Sequence, residues 1–74
     1  MNVDELSNRL REARAARGLS QADLAELVHV SRKTINTVEN GVFIPSTVLA
    51  LRLARALDTT VERLFFLRED RRRR

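Results

Sequence analysis

Residues 20–41 read SQADLAELVHVSRKTINTVENG. Ser20 and Ser31 each precede a run of helix-forming residues, and a short hydroxyl side chain is what caps a helix amino terminus well. Asp23 follows Ser20 by three residues, the spacing at which an acid reaches back to the N–H of the capping residue. Leu24, Ala25 and Val28 share one face of the first helix, and Ile35 and Val38 share one face of the second. His29 and Val30 form the turn between them. Asn40-Gly41 closes the second helix, with glycine free to adopt left-handed geometry. Two helices that cross steeply need a close approach, and Ala25 supplies the small side chain for it.

The flanks extend the helical pattern. Leu6, Leu10 and Ala13 recur at i, i+4 and i+7, which predicts an amphipathic helix supported by a Glu5/Arg9 pair. Gly18 ends it as a left-handed cap, with Leu19 folding back. After residue 41, Pro45 forbids a helix just before it, and Ser46 caps a fourth helix striped with Leu49, Leu53, Ala56 and Leu57. Thr59 and Glu62, at capping-box spacing, predict the start of a fifth helix carrying Val61, Leu64 and Phe65. Residues 66–68 can be extended. The expected fold is all-α, one domain over residues 1–70, with residues 71–74 a disordered basic tail.

The chain has 74 residues and no cysteine. No disulfide or thiolate metal site supports so small a core, so association is a plausible stabiliser. Apolar runs reach only four residues, far short of a bilayer span, and acidic Asp4 and Glu5 do not suit a signal peptide. A cytoplasmic protein is expected. The net charge of +4 comes from 14 Lys/Arg against 10 Asp/Glu. Residues 71–74 are all arginine and carry the whole excess, so residues 1–70 balance. Total basicity is therefore a poor argument for nucleic acid. Local placement argues better: residues 27–38 contain Arg32 and Lys33 and no acid.

A helix whose amino-terminal part projects Arg32 and Lys33 outward suits the DNA major groove, where both can donate to guanine O6 and N7. Thr37, one turn on, can meet a thymine methyl or a base edge. Amides at the start of the preceding helix point toward phosphate, with Ser20 and Gln21 adding side-chain donors. In this register Arg14, Gly18-Leu19-Ser20-Gln21, Leu24-Ala25, Val30-Ser31, Thr34-Ile35, Val38-Glu39-Asn40-Gly41, Pro45-Ser46, Leu49-Ala50, Ala54 and Leu64-Phe65 together resemble the small Cro/C1-type (XRE-family) helix-turn-helix transcriptional regulators. The resemblance covers residues 8–67. It implies a five-helix, lambda-repressor-like DNA-binding domain acting as a dimeric repressor on a palindromic operator of double-stranded DNA. It places Arg32, Lys33, Asn36 and Thr37 at base-reading positions and Gln21, Thr34 and Asn40 at phosphate positions. Arg14 and Glu39 correspond to a structural salt bridge, and residues 66–69 to a carboxy-terminal strand that pairs in the dimer.

The departures matter too. His29 and Asp58 stand where glycine is common. Val42 and Ile44 replace a polar loop, and Val48 replaces a common acid, so Val42, Ile44 and Val48 form an apolar patch expected at a dimer interface with Phe66 and Leu67. Two other readings stay open. One is an antitoxin that autoregulates its operon while its carboxy-terminal part inhibits a toxin. The other is a protein-interaction adaptor that has lost DNA binding. No enzyme, metal, cofactor, small-molecule ligand or membrane partner is expected: the chain has only Gly18 and Gly41 for a phosphate loop, and Asp4/Glu5 and Glu69/Asp70 do not face each other on a helix. His29 reads as a turn residue rather than a ligand, and residues 71–74 as a phosphate arm, a cloning remnant or solubilising charge.

Overall fold

Asn8 redirects the amino terminus away from the helix that the Leu6, Leu10, Ala13 spacing predicts. Its carboxamide oxygen accepts from the Leu10 N–H at 3.0 Å, and its Nδ2 donates to the Val38 carbonyl at 3.0 Å. An asparagine that bonds the backbone two residues on makes a turn, so a helix cannot run through it. Arg9 N–H donates instead to the Leu64 carbonyl at 2.8 Å. The computed structural model describes residues 6–68, and within them the chain begins with a strand, β1 (Leu6–Asn8). The Glu5/Arg9 pair, the tail at residues 71–74, Glu69 of the expected strand and the outer domain boundaries lie outside the described residues.

Five helices and a second strand follow: α1 (Leu10–Ala16), α2 (Gln21–Val28), α3 (Arg32–Glu39), α4 (Thr47–Ala56), α5 (Val61–Leu64) and β2 (Phe65–Leu67). The fold is thus mostly helical with a small sheet, rather than purely helical. β1 and β2 pair antiparallel, Leu6 with Leu67, Ser7 with Phe66 and Asn8 with Phe65. The expected carboxy-terminal strand therefore exists, but it pairs with the start of its own chain. Arg9 covers its outer side, with the guanidinium 4.6 Å from the centre of the Phe66 ring.

Most helices are specified by caps at their ends. Ser20 Oγ accepts from Asp23 N–H at 2.9 Å while Asp23 Oδ2 accepts from Ser20 N–H at 3.0 Å, the reciprocal box that the sequence predicts. These bonds, the Ser20 backbone one first, hold the Asp23 carboxyl below its ordinary range. Ser31 and Ser46 cap α3 and α4 through Thr34 N–H and Leu49 N–H, both at 3.1 Å. The fifth cap differs from expectation. Thr60, not Thr59, accepts from Arg63 N–H; Thr59 belongs to the closure of α4, where its N–H donates to the Ala54 carbonyl at 2.9 Å and so is not free for the Glu62 half of a capping box.

One device ends four of the helices. Gly18, His29, Gly41 and Asp58 all have positive φ. The residue after each donates its N–H five residues back: Leu19 to Arg14, Val30 to Ala25, Val42 to Thr37 and Thr59 to Ala54. This Schellman-type closure satisfies carbonyls the helix leaves open. His29 and Asp58 do it without glycine, at φ 64° and 55°.

The turns fold the helices around one core. Leu10, Leu24, Val28, Ile35, Val38, Leu53 and Leu64 are essentially inaccessible, so every helix contributes at least one sealed side chain. Ala25 is buried in the same core. Replacing His29 by glycine should leave stability unchanged or raise it by up to about 1 kcal/mol, whereas His29→Val should cost about 1–2 kcal/mol in left-handed geometry. Urea unfolding of both variants checks this, and a clear loss in His29→Gly would show that the imidazole itself holds the turn.

Candidate nucleic-acid interface

The site is built from a buried carboxylate outward. Glu39 stands at the last position of α3, and its side chain is 0% exposed. Arg14 of α1, 15% exposed, donates to it through Nε at 2.6 Å and Nη2 at 3.3 Å. Gln21 of α2 donates through Nε2 at 3.0 Å, and Arg11 of α1 through Nε at 3.5 Å. Three helices therefore meet on one carboxylate. Arg14 also donates Nη1 to the Leu19 carbonyl at 2.8 Å, which ties the turn before α2 to the same centre. Burial pushes the Glu39 pKa up, but the donation from Arg14, Gln21 and Arg11 outweighs it and holds the value below the ordinary glutamate range. The Glu39 hydrogen bond raises the pKa of Arg14 in turn. The Arg14–Glu39 pair expected from the resemblance is present, with two further donors.

With its carboxyl-terminal end fixed, α3 presents its outer side. Arg32 and Lys33 are exposed, and Asn36 and Thr37 are half-buried. Among the described residues Arg32 and Lys33 enter no ion pair, and no acid occurs on α3 before Glu39. The Thr37 hydroxyl donates to the Thr34 carbonyl at 3.0 Å, which commits its proton to the helix. Thr34 Oγ1 lies 2.9 Å from Ser31 Oγ, beside the cap. Asn36 Oδ1 accepts from Asn40 Nδ2 at 3.3 Å, and Asn40 Oδ1 accepts from Arg11 Nη2 at 3.1 Å. A polar chain thus runs from α1 across the end of α3 to its outer side. Sequence reasoning misses Arg11. The available signal is its place three residues before Arg14, on the same face of α1.

Charge placement sharpens the sequence count. Residues 6–68 hold all ten cations of residues 1–70 but only six of the ten acids. Asp4, Glu5, Glu69 and Asp70, which balance the sum, lie outside the described residues. The expected interface residues lie outside α3, with Val42 just beyond its end and bonded through its N–H to the Thr37 carbonyl at 2.9 Å. Val42 is 76% exposed, and Ile44, Val48 and Leu67 are also exposed, while Phe66 is half-buried under Arg9. Phe43 and Leu51, not expected there, are exposed too. Leu6, Ile44, Pro45, Ala50, Leu51 and Phe65 line an open apolar hollow of about 300 Å³. His29 sits in its turn, and the described residues contain no cluster of three His, Cys, Asp or Glu side chains that could hold a metal. No helix in the described residues is long and apolar enough to cross a membrane.

Comparison with known proteins bears on the same stretch. A family described as helix-turn-helix matches residues 10–64. YgzD of Bacillus subtilis, an uncharacterized HTH-type transcriptional regulator, is 38% identical over 65 residues, covering 88% of this chain and 98% of that protein. An uncharacterized HTH-type transcriptional regulator of Methanothermobacter thermautotrophicus is 48% identical over 62 residues, covering 82% of this chain and 90% of its own. The crystal structure of the restriction-modification controller protein C.AhdI from Aeromonas hydrophila superposes with a TM-score of 0.71 at 45% identity, covering 74% of this chain and 83% of that one.

The buried carboxylate makes a measurable prediction. Its pKa is depressed in the folded chain, so its contribution is present above the unfolded value of about 4.3 and is lost as pH falls through the lower folded value. Glu39→Gln should lose about 3 kcal/mol at neutral pH, because it leaves Arg14 with no opposite charge. The gap to the parent chain should narrow on acidification below pH ~4. Urea unfolding across that range checks it, and a gap that stays constant would show that the charge of Glu39 contributes nothing.

Proposed function

The chain belongs to the helix-turn-helix family of transcriptional regulators, and on that premise we propose that it binds double-stranded DNA sequence-specifically as a homodimeric repressor on a palindromic operator. The observation that carries this reading is the outer side of α3: two exposed cations, half-buried Asn36 and Thr37, and no acid before Glu39. Arg32 and Lys33 read base edges from the amino-terminal end of α3, and Asn36 and Thr37 lie against the bases one turn further on. The hydroxyl proton of Thr37 is committed to its own helix, so Thr37 offers a methyl and an acceptor rather than a donor. Ser20, Gln21, Thr34 and Asn40 hold phosphates and set the register. The Ser20 oxygen already accepts from the Asp23 N–H, so what Ser20 offers a phosphate is its hydroxyl proton.

Val42, Ile44 and Val48, with Phe43 and Leu51 beside them, form the surface on which a second copy packs, and Leu67 extends it. An apolar patch of this extent on a small domain marks an interaction surface. Two copies related by a two-fold axis place their α3 helices about 34 Å apart, one turn of DNA. Residues 1–70 act as one domain in this regulator. The same apolar surface favours one competing reading, a protein-interaction adaptor, and a gel shift on DNA from upstream of the chain's own gene separates the two. Retardation of that duplex over random duplex supports the regulator; a folded protein that shifts neither supports the adaptor.

Arg32→Ala or Lys33→Ala should weaken operator binding by about 1–3 kcal/mol and relax preference at one base pair. An equal loss on operator and random duplex would contradict base reading. Val42→Glu combined with Val48→Glu should convert the protein to monomer in sedimentation equilibrium. A dimer that survives both changes would place the association surface elsewhere.

A further inference from the structure

Arg11 is the cation at the α1, α2, α3 junction that the reading of α3 leaves without a role. Its side chain is 60% exposed. Nη2 donates to Asn40 Oδ1 at 3.1 Å, and Nε reaches Glu39 Oε1 at 3.5 Å. The second contact sits at the outer limit of hydrogen-bond length. Glu39 Oε1 already accepts from Gln21 at 3.0 Å and from Arg14 at 3.3 Å, and Arg14 supplies the balancing charge. An exposed pair of that geometry contributes little to folding. Arg11 is thus poorly explained as a structural cation.

Its neighbours point to another use. Gln21 and Asn40, at phosphate positions, are both linked to Arg11: Gln21 through the shared Glu39 oxygen, Asn40 directly. The bond from Arg11 leaves Asn40 Nδ2 turned toward Asn36 Oδ1. A guanidinium has five N–H donors in a planar fork. Two of its nitrogens, Nε and Nη2, make the contacts described, and Nη1 makes none among the described residues. Arg11 can therefore donate to an anion and keep its bond to Asn40.

We propose that Arg11 is a phosphate-binding residue of the DNA interface: it donates to a backbone phosphate beside Asn40 and Gln21, and through Asn40 it fixes the amide that shares that phosphate. The inference rests on the DNA-binding reading above. A phosphate brings a negative charge that Arg11 need not share, whereas Glu39 is already balanced by Arg14, and arginine matches phosphate oxygens with paired donors. Such a contact positions the protein and carries no sequence information.

The test is fluorescence anisotropy of the full chain on two duplexes, one from upstream of its own gene and one of random sequence, over a series of salt concentrations. Arg11→Ala should weaken binding to both duplexes by the same factor, about tenfold at low salt, and lower the slope of log K against log salt by about one. Arg11→Lys should keep most of the slope and lose part of the affinity, since a point charge cannot hold Asn40 and phosphate together. Thermal unfolding of both variants should match the parent chain. An unchanged slope in Arg11→Ala, a loss confined to the upstream duplex, or a loss matched by a fall in unfolding temperature would each overturn the inference. If Arg32→Ala weakens binding and Arg11→Ala does not, this inference alone fails. If the parent chain binds neither duplex, the DNA-binding reading fails and this inference falls with it.

Discussion

The arrangement of the first three helices depends on one buried negative charge. A carboxylate with a fully covered side chain is tolerated only when donors replace the water it gives up. Glu39 obtains them chiefly from α1 through Arg14 and from α2 through Gln21. Because the donors come from two other helices, the requirement fixes all three relative to one another. Apolar packing alone has no such directionality: Leu10, Leu24, Ile35 and Val38 fill the core beneath α3 but allow it to slide or rotate by small amounts. The carboxylate fixes the end of α3, and the left-handed turn at His29 fixes its start. What lies between is the side that carries Arg32 and Lys33.

The helical part of the fold is legible in the sequence because its signals are local. A serine followed by an amide three residues on forms a cap with nothing else required, and Ser20, Ser31 and Ser46 all behave this way. Left-handed closures are readable at Gly18 and Gly41. They are readable also at His29 and Asp58, because the positions matter more than the residues occupying them. The places where local reading fails are those where another group competes. Leu6 has helical spacing with Leu10 and Ala13, but Leu67, near the other end of the chain, offers a strand partner, and the Asn8 carboxamide ends the contest. Thr59 has capping-box spacing with Glu62, but its N–H is spent in closing α4.

The candidate site divides along the same line. Arg32 and Lys33 are legible as outward cations, since helical register alone decides which way they face. The commitments among side chains are not. Nothing in the spacing of Thr37 says that its hydroxyl turns back to Thr34, and nothing in that of Asn40 says that it joins Asn36 to Arg11. Arg11 itself looks like one more surface arginine on α1. The charge count misleads in a related way, because balancing residues 1–70 as a unit hides that four of its acids cluster at the two ends.

The apolar surface around Val42, Ile44 and Leu51 lies on α4 and the loop before it, which joins α3 where the Val42 and Phe43 N–H groups donate to the Thr37 carbonyl. One small fold thus offers two faces of opposite character, one suited to an anion and one to another protein. The central claim is that the polar face is the one that meets DNA. Amide resonances of the folded chain, followed by NMR as duplex from upstream of its own gene is added, test it directly. The shifts should concentrate at Ser31 to Thr37 and at the start of α2. Shifts confined to Val42 to Leu51, or none on α3 at saturating duplex, would contradict it.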